Sequence, residues 1–179
     1  MNSSYALFYS ILLFLILILI SFYIFQKIIN IQLVERKIKS LQQKDKNADL
    51  DSENLYKLGQ LFLQKKLFNK ALLLFHRALL IWDLNDKIGL ASLINTIGVT
   101  YFQLKKYKFA IYYYEVAIKI IPDYILILKN LAFIYESTKI FPKAKKCYTD
   151  CLLLEPNNKF FIERITLINR QLNLTLVDN

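Results

Sequence analysis

Residues 94–122 read INTIGVTYFQLKKYKFAIYYYEVAIKIIP, and the fold turns on how this stretch is read. Tyr101 follows Gly98 by three and Ala110 follows it by twelve, Tyr114 and Ala117 come four and seven after Ala110, and Pro122 closes the run. Small residues at these intervals let two helices approach closely, and aromatic rings fill volume beside them. Proline cannot continue the helical hydrogen-bond ladder. The stretch therefore predicts an antiparallel helix pair, with its turn at Lys105-Lys106.

The same register recurs on both sides. Leu58-Gly59, Ile97-Gly98 and Leu131-Ala132 align, followed at equal offsets by Phe62, Tyr101 and Tyr135, then Ala71, Ala110 and Ala144, then Phe75, Tyr114 and Tyr148. Ala78, Ala117 and Cys151 come next, and Asp83, Pro122 and Pro156 close each unit. Fixed-period self-similarity of this length marks stacked helical hairpins, in which each unit buries its apolar faces against its neighbours. On this reading Gly59, Gly98 and Ala132 admit the second helix where Ala71, Ala110 and Ala144 face it, and Ala78, Ala117 and Cys151 are further packing positions. Aromatic residues are expected to fill the gaps between successive pairs. Phe68, Tyr107 and Phe141 open the second helices. The second and third units lie 34 residues apart but the first and second 39, so the helix after Asn85-Asp86 should begin about a turn early, with one of these two residues as its N-cap.

Composition agrees with an all-α chain. Three glycines and three prolines in 179 residues are too few for the turns of a many-stranded sheet. Lysine, isoleucine, asparagine, phenylalanine and tyrosine are all common, a bias expected of an A/T-rich genome such as that of a plastid, a mitochondrion, a parasite or an endosymbiont.

Before the repeats, Tyr5 to Phe25 contains no charged side chain, and Lys27 is the first. As a helix this run spans about 31 Å, the thickness of a hydrocarbon core. Aromatic residues cluster at both ends, Tyr5, Phe8 and Tyr9 at one and Phe22, Tyr23 and Phe25 at the other, as at membrane interfaces. The start of the chain lacks the basic region and small-residue cleavage site of a signal peptide, so a retained anchor is expected. Lys27, Arg36, Lys37, Lys39, Lys44 and Lys46 follow the span, which places the C-terminal part on the side of synthesis. Ile31, Val34, Ile38 and Leu41 extend the helical pattern as a stalk or an amphipathic segment, and Lys44 to Asp51 reads as a linker. The expected organisation is an anchor over 1–26, a juxtamembrane helix and linker over 27–50, three repeats within 51–156 (about 52–85, 91–124 and 125–158), and a capping helix and tail over 157–179.

The formal charge of +10 divides into +3 for residues 1–49 and +7 for residues 50–179. Its lysines are scattered at helix ends rather than gathered into an arginine-rich stripe, so a solvated lysine surface near an anionic membrane is expected and nucleic acid is not the expected partner. His76 is the sole histidine, Cys147 and Cys151 have no further Cys or His beside them, and there is no glycine-rich phosphate loop. Neither an enzyme, a cofactor site, a metal site nor a small-molecule substrate is expected.

These positions resemble the tetratricopeptide repeat, W-x2-L-G-x2-Y, then A-x3-F-x2-A, then P. Leu55, Ile94 and Leu128 stand in place of the tryptophan, Asp83 in place of the first proline and Cys151 in place of an alanine. The resemblance implies a protein-binding groove lined by the first helices: Tyr56, Gln60 and Leu63, then Asn95, Val99 and Phe102, then Lys129, Phe133 and Glu136. Members that grip a peptide carboxylate use lysines, asparagines and an arginine on these helices; here only Asn95 and Lys129 match. Anchor, three repeats, composition and length together are similar to the plastid-encoded, membrane-anchored tetratricopeptide family that assists photosystem I assembly (hypothetical chloroplast reading frame thirty-seven). That resemblance implies a thylakoid anchor, repeats in the stroma, and photosystem I subunits or assembly intermediates as partners. The alternative is a preprotein import or chaperone-docking receptor on an organelle membrane.

Overall fold

A computed structural model describes residues 2–46 and 50–177, and among these the secondary structure is entirely helical. Residues 47–49, in the expected linker, and the last two of the tail lie outside the described residues, as does the side chain of Tyr5.

The chain divides into two units, residues 1–49 and 50–179. The first is one helix, α1 (Asn2–Lys46), which passes residue 26 without a break, so anchor and juxtamembrane segment form a single rod. By length and composition α1 is apolar enough to cross a membrane. Phe8, Tyr9, Phe22, Tyr23 and Phe25 are all exposed along it, and Lys27 lies 5.6 Å from the ring of Tyr23.

The second unit is three hairpins and a final helix: α2 (Ser52–Gln64) with α3 (Phe68–Leu80), α4 (Lys87–Gln103) with α5 (Tyr107–Ile120), α6 (Ile125–Ser137) with α7 (Phe141–Leu154), then α8 (Lys159–Val177). The second helices begin at Phe68, Tyr107 and Phe141, the aromatic positions read from the repeat. Asp51 caps α2 by accepting from the Asn54 amide at 2.8 Å, satisfying one of the unpaired donors of the first turn. Asp86 does the same for α4 through the Gly89 amide at 2.9 Å, which settles the choice between Asn85 and Asp86 and starts that helix at Lys87, four residues ahead of the expected unit boundary.

The small residues sit in the core as expected: Ala71, Ala78, Ala110, Ala117, Ala132, Ala144 and Cys151 are fully buried, and Gly59 and Gly98 are buried. A Cβ at Gly59 would stand 2.5 Å from Cε1 of Phe75, and one at Gly98 would stand 2.7 Å from Cε1 of Tyr114. The two glycines thus receive an aromatic ring from the second helix of their own hairpin, while Tyr148, at the same repeat position, also meets Phe160 and Phe161 of α8 at 6.3 Å. The first two hairpins are each built around a ring seated on a bare backbone, a contact that a side chain at either glycine would displace.

Candidate functional site

The first helices α2, α4 and α6 lie in sequence along one face, and polar side chains tie each to the next. Tyr56 on α2 exchanges a hydrogen bond with Thr96 on α4 (3.0 Å), and Asn130 on α6 donates to the Asn95 side chain on α4 (2.9 Å). The two bonds occupy equivalent places: Tyr56 and Asn95 each follow the residue at the tryptophan position, while Thr96 and Asn130 stand one further on. Bonds between partly buried groups cost little to keep and much to break, so these rungs hold the spacing of the face.

Of the nine expected groove positions, the structure joins some to ligand-accessible surface and engages others internally. Gln60, Leu63, Val99 and Phe102 are half-exposed, and Phe133 is 47% exposed. Phe102 and Phe133 meet edge to face at 5.6 Å, an aromatic floor bridging the second and third hairpins. Tyr56 is wedged between Phe75 and Trp82, with ring centroids at 5.7 and 5.9 Å. Asn95 is 7% exposed and its carbonyl is held by Asn130. Lys129 is exposed, its ammonium 6.0 Å from the ring of Phe160 on α8.

Glu136 is the most heavily engaged. Arg164 of α8 donates to both of its oxygens, from Nη2 and, at 3.1 Å, from Nε, and the Tyr148 hydroxyl donates to it at 3.0 Å. The carboxylate holds the Arg164 guanidinium above its usual range, and burial with the nearby carboxylate raises the Tyr148 phenol. Thr96, Asn130 and Arg164 were not among the expected site residues. Their signal was present in the register, since all three fall at the same repeat position, one after the groove-lining position.

The opposite face, formed by the second helices, carries a second aromatic cluster. Tyr101 stacks between Phe109 (5.2 Å) and Tyr113 (5.3 Å), and its hydroxyl lies 3.3 Å from His76 Nε2. Burial lowers the His76 pKa from its usual value, favouring the neutral ring. Of the Tyr112-Tyr113-Tyr114 triplet, Tyr114 is core and Tyr112 is 59% exposed, as the register requires. Cys147 and Cys151 are buried, and desolvation pushes their thiols up to about 11 and about 12, which suppresses the reactive thiolate. Among the described residues no group of three or more His, Cys, Asp or Glu side chains is placed to hold a metal ion.

A face of this construction suits protein binding: it offers apolar rings and amides on helices held at a fixed spacing. The tetratricopeptide repeat family model matches residues 51–123. The crystal structure of MamA, 21% identical, superposes with a TM-score of 0.68 over 76% of this chain and 77% of that one, a likeness of fold. The chloroplastic tetratricopeptide repeat domain-containing protein PYG7 of Arabidopsis thaliana is 31% identical over 139 residues, which cover 78% of this chain and 46% of PYG7. The ycf37 protein of Guillardia theta is 41% identical over 158 residues, 88% of this chain and 89% of that protein. With hairpin architecture, repeat register and near full-length similarity in agreement, the chain belongs to the ycf37 family of tetratricopeptide repeat proteins.

Proposed function

We propose that this protein is a membrane-anchored scaffold that holds photosystem I subunits or assembly intermediates at the stromal surface of the thylakoid. The observation that carries the reading is the joining, in one chain, of a 45-residue helix that begins with a long apolar run to a protein-binding face. Anchoring confines scaffold and membrane-bound client to one thin layer and raises their effective concentration, so a shallow floor such as Phe102–Phe133 suffices for productive contact. The chloroplastic designation of PYG7 supports a plastid setting. The basic residues after the apolar run support the stromal side. Photosystem I itself comes from the family resemblance in the sequence.

The groove favours this reading over a chaperone-docking receptor. A carboxylate grip needs accessible donors, whereas Asn95 is only 7% exposed and Glu136, among the third unit's groove positions, is itself a carboxylate, already paired with Arg164. Deleting the gene should lower photosystem I accumulation, measured by immunoblot and P700 absorbance in growing and light-stressed cells. Unchanged levels under both conditions would sink the proposal.

A further inference from the structure

Each intra-hairpin turn holds a lysine in a backbone conformation that disfavours it. Lys66, Lys105 and Lys139 have φ of 58°, 59° and 61°, the left-handed region that glycine enters without penalty and a side chain does not. The three are equivalent in the repeat, seven residues after Gly59, Gly98 and Ala132. They belong to longer basic runs: KKLFNK at 65–70, KKYK at 105–108 and KIFPKAKK at 139–146, which contain no acidic residue. All the lysines in these runs are exposed.

The location of the runs turns a scattered charge into an ordered one. Every run begins where a first helix hands over to a second, so the hairpin stack collects all three along a single edge. The opposite edge, where one hairpin passes to the next, carries Asp83, Asp86, Asp123 and Glu155. Ten of the eighteen basic residues after Leu50 lie in the lysine runs, and the remaining eight face eleven acidic residues, so the net positive charge of this unit resides on that one edge. Apolar side chains are interleaved with the lysines: Leu67 is 40% exposed, Tyr107 37%, Phe109 56% and Ile140 38%.

We propose that this edge rests on anionic lipid headgroups, with the lysines over the phosphates or sulfonates and the interleaved apolar groups entering the interface. The inference rests on the reading of α1 as a membrane anchor. A row of lysines without a bidentate arginine fork suits a diffuse planar charge better than the directional pairing of an acidic protein surface. A bilayer is also the surface that an anchored domain meets at highest local concentration. Edge-on contact leaves the face of α2, α4 and α6 open to a client.

The test uses the full chain reconstituted into vesicles of phosphatidylcholine alone, or of phosphatidylcholine with phosphatidylglycerol, followed by brief lysine acylation and mass spectrometry. Lysines of the three runs should be protected about fivefold or more in the anionic vesicles, with the protection lost in high salt, because surface attraction acts within a Debye length. Lys87, Lys119 and Lys159, on the other edge, should label equally in both. Retention of the chain after alkaline carbonate extraction, with equal labelling of the runs in the two vesicles, would overturn the lipid contact alone. Release by carbonate would overturn the anchor, and the lipid contact with it.

Discussion

At the scale of the residue, the hairpins depend on positions where a single atom decides. Gly98 leaves the space that the Tyr114 ring occupies, and Tyr114 is 3% exposed, so the ring has nowhere to retreat. Gly98→Leu should destabilise the unit by about 1 to 3 kcal/mol through overpacking, read as a lowered melting temperature. Gly98→Ala should cost less, because the gain in helix propensity of about 1 kcal/mol offsets part of the clash. The strained turns predict the opposite sign. Lys105→Gly should raise stability by roughly 1 kcal/mol by relieving the left-handed penalty, measured by urea unfolding. His76 sets a pH response. Burial lowers its folded pKa from the ordinary 6.5, so it destabilises nothing while both states are neutral. As pH falls through 6.5 the unfolded chain takes up the proton first, and stability drops until the folded pKa is passed. His76→Phe should flatten this slope in melts between pH 7 and pH 5.

At the scale of the element, α8 is more than an end cap. It enters the stack in the place of a fourth first helix, packing against α7 and donating Arg164 to Glu136 on α6. Phe161 and Ile168 are buried in the same core as α6 and α7, while Ile162 remains exposed where a further second helix would lie. Arg164→Gln should loosen this end by about 1 to 2 kcal/mol, since a charge-assisted bond is lost and Glu136 keeps only Tyr148. Amide exchange should accelerate in α8 and the C-terminal half of α6 while α2 and α3 stay protected, as expected where each repeat contacts only its neighbours.

At the scale of the whole molecule, two units with separate roles share one chain. Residues 50–179 bury their own core, from Leu55 to Ile168, and should fold without α1. A chain lacking residues 1–49 should give a helical spectrum and a cooperative melt, and should leave the membrane fraction for the soluble one.

Hairpins, helix starts and buried small residues were legible in the sequence because they follow from spacing, and spacing survives without coordinates. The Asp86 cap, the early start of α4 and the burial of Ala71, Ala110 and Ala144 all rest on local offsets. The groove was legible as a register but not as a surface. Nothing in the linear order says that Asn95 spends its carbonyl on Asn130, that Glu136 is claimed by a helix 28 residues on, or that the ring facing Gly59 is Phe75. The sequence by itself determined the repeat, the apolar rod and the sign of the charge, all properties of period and composition. Only the tertiary structure decided which polar groups remain available and that ten lysines share one edge, because stacking brings together residues some forty apart whose separation along the chain carries no trace of that proximity.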